Sequence, residues 1–175
     1  MSKIIWPVLS VLVAAGIFFS SALSGEVSGG ASMVIAELVR YVVPDATDET
    51  ISVFNFIVRK GAHFTVYFVL AFCVAHSLKF YLLRRSEPAL ANNKAQDSVV
   101  AGGRRLLTLF FVAWGIASAY GVADEIHQYF VPGRVMALMD MVINAIGAAA
   151  GAAVVCWWVA RGSSKVSIGD GMNTP

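Results

Sequence analysis

Residues 51–78 read ISVFNFIVRKGAHFTVYFVLAFCVAHSL, an apolar run broken only by Arg59-Lys60-Gly61 and His63. A helix of that length is more than enough to cross the ~30 Å hydrocarbon core of a bilayer. Ionisable side chains inside or at the rim of such a span are costly, so they mark a candidate site and call for partners. The partners are in two further apolar runs, about 106–122 and 135–159. These bring Asp124, Glu125, His127, Gln128, Arg134, Asp140 and Asn144 to the same end of the stack. With a first run at about 4–23, the expected fold is all-α, a four-transmembrane-helix bundle with one polar cluster on one face.

Composition agrees. The 175 residues are 58% hydrophobic and only 14% charged, with a mean hydropathy of +0.71, well outside the range of soluble domains. The net charge of +2 is too small to argue for nucleic acid, and no basic stripe with interleaved aromatics appears. Cys73 and Cys156 lie inside apolar runs and fit neither a zinc spacing nor a secreted disulfide framework, so both read as buried free thiols. No cofactor is expected.

The first run has a rival reading as a signal peptide, with Lys3 as its basic start and Ala22 and Ser24 suited to cleavage. At ~20 residues it is long for such a segment, which favours retention in the membrane. Residues 24–50 are richer in Gly and acids. Met33-Val34-Ile35 and Leu38-Val39 alternating with Glu37 and Arg40 suit a short amphipathic surface helix, and a partly ordered loop is the other reading. Residues 79–105 read as a polar, basic, flexible loop, and 162–175 as a disordered tail. The membrane domain is then 1–161.

The 79–105 loop carries six Lys/Arg against two acids, which the positive-inside rule places in the cytoplasm. Lys3, Arg161 and Lys165 agree, so both termini are expected there and the cluster on the extracytoplasmic side of the cell membrane.

Helical spacing sets out which residues share a face. Lys60, His63 and Tyr67 form one stripe, Tyr120, Asp124 and His127 another, and Asp140, Asn144, Gly147 and Gly151 a third. At about 1.5 Å per residue, Asp140 lies roughly 9 Å from Arg134 along the axis and Asn144 roughly 15 Å. A carboxylate that deep needs a cation, and Arg59, Lys60, Arg134 and His63 are the nearest. Gly147 and Gly151 make a small-xxx-small pattern, which serves packing within the bundle or a homodimer seam. His63 and His127 could ligate a metal with Asp124 or Glu125, but the spacing matches no zinc-protease motif. The histidines read more simply as partners of carboxylates, and no metal is expected.

Together, Arg59-Lys60-Gly61-Ala62-His63 with Tyr67, Asp124-Glu125-Ile126-His127-Gln128 with Val131-Pro132-Gly133-Arg134, then Asp140 and Asn144-Ala145-Ile146-Gly147, resemble the VanZ-like family of small integral membrane proteins. Ser20-Ser21 also resembles the end of that family's first helix. The likeness runs from about residue 20 to 151. It carries over Lys60, His63, Asp124, Gln128, Arg134, Asp140 and Asn144, position by position. Its founding member is associated with resistance to the glycopeptide teicoplanin, and the family as a whole implies no agreed activity.

The functional expectation is a membrane protein that binds, and in an enzymatic version modifies, an anionic envelope lipid or lipid-linked precursor. Arg59, Lys60 and Arg134 would hold the head group, with Gln128, Tyr67, Asp140 and Asn144 also lining the binding site. Asp124, Glu125, His127 and His63 are the acid–base candidates. Membrane lipids are the expected partners, and a homodimer is the alternative use of the glycine seam. The competing reading is a scaffold in which the same residues are structural salt bridges. Ion conduction is disfavoured, because the polar stripe ends at Asn144 and the rest of the fourth span is apolar.

Overall fold

The computed structural model describes residues 2–23, 25–83 and 94–169. These form five helices: α1 Ser2–Ala22, α2 Gly25–Val42, α3 Asp48–Leu82, α4 Lys94–Tyr129 and α5 Leu138–Gly169. Four helical segments, Lys3–Ala22, Asp48–Leu82, Ala101–Tyr129 and Leu138–Gly162, are long and apolar enough to cross a membrane. The fold is all-helical, as the hydropathy pattern requires.

Thr47 starts the central helix. Its backbone is extended, and its side chain accepts a hydrogen bond from the Thr50 N–H, at 3.3 Å. That satisfies one of the donors left open at a helix start. Asp48 and Glu49 follow in the first turn, where the helix dipole favours negative charge. The resulting α3 packs against each of the other four helices.

Small residues let these helices approach. Ala71 and Ala75 of α3, Ala113 and Ala117 of α4, and Ala148 and Ala152 of α5 are all fully buried, with Tyr67, Leu70, Leu109 and Val155 filling the space between them. In lipid there is little hydrophobic gain from joining apolar helices, so close backbone packing carries the association. A Cβ on Gly147 would collide with the Phe64 carbonyl oxygen, and one on Gly151 with that of Phe68. The glycine pattern is therefore the α3–α5 seam within the bundle. Large apolar side chains such as Ile4, Val11, Phe19 and Phe111 point outward, where lipid would meet them.

Charged residues frame the bundle at a bilayer's thickness. Lys60 and Lys79 are about 28 Å apart along α3, Arg105 and Asp124 about the same along α4, and Asp140 and Arg161 about 32 Å along α5. The hydrocarbon core is ~30 Å.

Several boundaries differ from those expected. Helix α3 continues to Leu82 and α4 begins at Lys94, so most of the expected 79–105 loop is helical; its residues 84–93 lie outside the described residues. Helix α5 likewise runs through Gly169 where a disordered tail was expected, and 170–175 lie outside the described residues. Polar residues do not stop a helix once it leaves the hydrocarbon. The fourth span starts at Leu138, so Asp140 sits in the first turn of α5 instead of well down it, at the end where the dipole favours a carboxylate.

Of the two readings for residues 24–50, the helix is the one formed. Among the described residues helix α2 contacts α3 alone; it buries Val39 and is tied to α3 by Arg40 and Asp48 at 3.2 Å. Cys73 is buried, whereas Cys156 is only half-buried, its thiol 3.5 Å from the Leu106 carbonyl oxygen.

Candidate functional site

The glycine seam fixes the register of α3 against α5, and the polar stripes of the two helices meet above it. Lys60 forms an ion pair with Asp140 Oδ1, with the Asp140 side chain 3% exposed. One turn along, His63 Nδ1 lies 3.1 Å from Asn144 Oδ1. Because that oxygen can only accept, Nδ1 carries the hydrogen and donates.

Helix α4 closes the cluster. Glu125 is completely buried; its Oε2 accepts from the Ala137 backbone N–H at 3.2 Å. Its Oε1 faces His63 Nδ1 at 3.9 Å. Asp124 Oδ2 accepts from Gln128 Nε2 at 3.0 Å, one turn later on the same face. The Tyr67 hydroxyl is buried beside Asp124 without making a well-formed hydrogen bond to it.

Gln128 is the junction of three elements. Its amide nitrogen also donates to Ser21 Oγ of α1 at 3.2 Å, and its carbonyl oxygen accepts from Arg134 at 2.8 Å. The turn after α4 makes the latter contact. Gly133 has φ 75°, a left-handed conformation that glycine adopts without steric cost, and Arg134 N–H donates back to the Val131 carbonyl at 3.1 Å. This hairpin returns the guanidinium over the end of its own helix. Burial pushes the Arg134 pKa below its usual value, Arg59 nearby adds to that, and Asp124, Glu125 and Asp140 oppose it.

The structure thus brings together Lys60, His63, Tyr67, Asp124, Glu125, Gln128, Arg134, Asp140 and Asn144, with Arg59 exposed on the rim. It leaves out His127, which turns toward α1 and lies 4.8 Å from the Phe18 ring. Tyr120, on the same stripe, likewise donates to the Ala14 carbonyl of α1 at 2.7 Å. Of the four acid–base candidates, only His63 and Glu125 face each other. The metal-ligand grouping that the sequence allows, with both histidines, does not assemble; a different trio, His63, Glu125 and Asp140, does.

Two participants were not expected. Ser21, buried at 4% exposure, brings α1 into a cluster that sequence assigned to three spans. The Ser20-Ser21 pair was the available signal, but a neutral hydroxyl at the end of an apolar run names no partner. The Ala137 N–H is backbone, and only the position of the α5 start reveals it.

Seven buried side-chain polar atoms among the described residues have no hydrogen-bond partner, and four of them are here: Tyr67 Oη, Glu125 Oε1, Arg134 Nε and Asn144 Nδ2. Buried polar groups are nearly always paired, so this concentration sets the cluster apart from the rest of the bundle.

Four helices long and apolar enough to cross a membrane, with buried polar side chains gathered at one end, mark a multi-pass membrane protein. The family model described as VanZ/LLP1 matches residues 6–160, nearly the whole chain, and the protein belongs to that family. Comparison with curated proteins and with solved structures gave no match.

Proposed function

We propose that the site binds the anionic head group of an envelope lipid or lipid-linked glycan, on the extracytoplasmic side of the cell membrane. The observation that carries this reading is the pair of guanidiniums at the rim. Arg59 is near enough to disfavour the charge of Arg134, and among the described residues neither forms a salt bridge. Neighbouring like charges are stabilised by an anion that reaches both, and arginine binds phosphate or carboxylate through two parallel hydrogen bonds. Lys60 lies just below, its charge already shared with Asp140. The exposed apolar surface around the rim, Phe56 and Val58 beside Arg59, suits acyl chains.

The test is lipid retention. Protein purified in mild detergent and examined by native mass spectrometry is expected to carry anionic lipid, and Arg59→Gln/Arg134→Gln together to lose it while the melting temperature stays within a few degrees. Equal retention of zwitterionic and anionic lipid by both proteins would exclude the proposal.

The buried Lys60–Asp140 pair favours the scaffold reading as a second possibility, since it staples α3 to α5 directly. Under that reading the Arg59/Arg134 variant changes nothing measurable in lipid content, and the cluster matters only for stability.

A further inference from the structure

Three side chains from three helices converge around one point. One ligand-type atom from each of His63, Glu125 and Asp140 lies within 4.8 Å of the other two. A point exists no more than about 2.8 Å from all three atoms so spaced, against bond lengths of about 2.0–2.2 Å for zinc to nitrogen or oxygen. Side-chain rotations of less than an ångström close that gap.

The way each group is held points the same way. Each carboxylate has one oxygen anchored and the other free. Asp140 gives Oδ1 to Lys60 and turns Oδ2 to His63 Nε2 at 3.9 Å. Glu125 gives Oε2 to the Ala137 N–H and leaves Oε1 buried, without a hydrogen-bond partner, facing the same imidazole. His63 commits its Nδ1–H to Asn144 Oδ1, so Nε2 is the nitrogen left to bind. Metal-ligating histidines are oriented by just such a hydrogen bond from the opposite ring nitrogen.

The nitrogen–oxygen separations of 3.9 Å are too long for hydrogen bonds, which for N–H to O lie at about 2.7–3.2 Å. The Asp140 Oδ2–His63 Nε2 separation of 3.9 Å is within reach of two ligands on one ion, for which twice a bond of about 2.1 Å sets the upper limit near 4.2 Å, whereas Glu125 Oε1 lies 3.9 Å from Nδ1, the other ring nitrogen, and must swing toward Nε2 to join them. Charge agrees: the buried or half-buried charges here are three carboxylates, Asp124, Glu125 and Asp140, against two cations, Lys60 and Arg134.

We propose that His63, Glu125 and Asp140 hold one divalent transition-metal ion, oriented from outside the ligand set by Asn144, Lys60 and the Ala137 N–H. One imidazole and two carboxylates suit zinc or manganese better than magnesium, which prefers an all-oxygen octahedron. This revises the expectation of no metal and recasts His63 and Glu125 as ligands. It goes beyond head-group binding and does not depend on it.

The experiment uses the full chain in detergent, stripped with chelator and titrated with Zn2+, Mn2+ or Mg2+ without added lipid. Calorimetry is expected to show one equivalent of Zn2+ or Mn2+, with a rise in melting temperature, and Mg2+ binding at least ten-fold more weakly. His63→Ala and Glu125→Gln should each weaken binding by at least about 100-fold, whereas Asp45→Asn, on an exposed turn, leaves it unchanged. Co2+ added to the wild-type protein should give visible absorption bands, a readout that does not rely on the variants folding. Absence of stoichiometric binding by the wild-type protein, equal affinity for Mg2+, or full affinity in both ligand variants would overturn the assignment. Because both rim arginines are left in place and no lipid is added, none of these outcomes bears on the head-group proposal.

Discussion

The two halves of the α3–α5 interface are built on opposite principles. Below Gly147, the contact is Ala71, Ala75, Ala148, Ala152 and Val155, with the backbones pressed together at Gly147 and Gly151. Above it, the same two helices present Lys60, His63, Asp140 and Asn144. The lower half is held by close packing of small side chains. The upper half holds an ion pair and a hydrogen bond, yet leaves buried polar atoms without partners. A bundle selected for stability alone could continue the lower pattern upward, since a buried ion pair often contributes no more than apolar residues of the same volume. The contrast teaches that close packing of small residues and buried polar pairing divide one helix interface between them.

The largest test of this contrast is Lys60→Met. It leaves Asp140 buried and without its cation, which typically costs about 3–5 kcal/mol; a thermal scan in detergent should show a steeper fall than any other single substitution in the bundle described below. The double variant Lys60→Met/Asp140→Leu should recover most of that loss while abolishing whatever the site does. If the double variant remains as unstable as the single one, the upper half is structural after all. Gly151→Val comes next, forcing α5 away from the Phe68 carbonyl at an overpacking cost of about 1–3 kcal/mol. Gly115→Ala, whose new methyl meets nothing within 4 Å, is its control and should melt like the wild type. The smallest effect belongs to Ser21→Ala, which removes one buried hydrogen bond to Gln128 and should cost about 1 kcal/mol.

How much of this was readable from sequence follows from what hydropathy measures. The four spans were legible because lipid demands long apolar runs. Their ends were not, because hydropathy reports where lipid is and not where the helix stops. Lys94, Gln96 and Asp97 read as loop and belong to α4. The convergence of Lys60, His63, Asp140 and Asn144 was legible from helical spacing, since the second and fourth spans cross in the same direction and both carry their polar stripe at the same end. Who pairs with whom depended on the depth of each helix start, and Asp140 lay nearer its helix end than counting from Arg134 implied. His127 misled for a related reason. It shares a stripe with Asp124, but that stripe is the one α4 turns toward α1, whereas Glu125 and Gln128 flank it on the side of the cluster.

One consequence concerns the carboxamide of Gln128. Its nitrogen is committed to Asp124 and Ser21 and its oxygen to Arg134. Flipping it would set oxygen against carboxylate and N–H against guanidinium, repulsive at both ends, so the group has a single orientation. The last turn of the first helix and the hairpin after the fourth are thereby joined through one rigid planar unit. The shortest connection from that first helix to Arg134 therefore runs through a single side chain, by two hydrogen bonds.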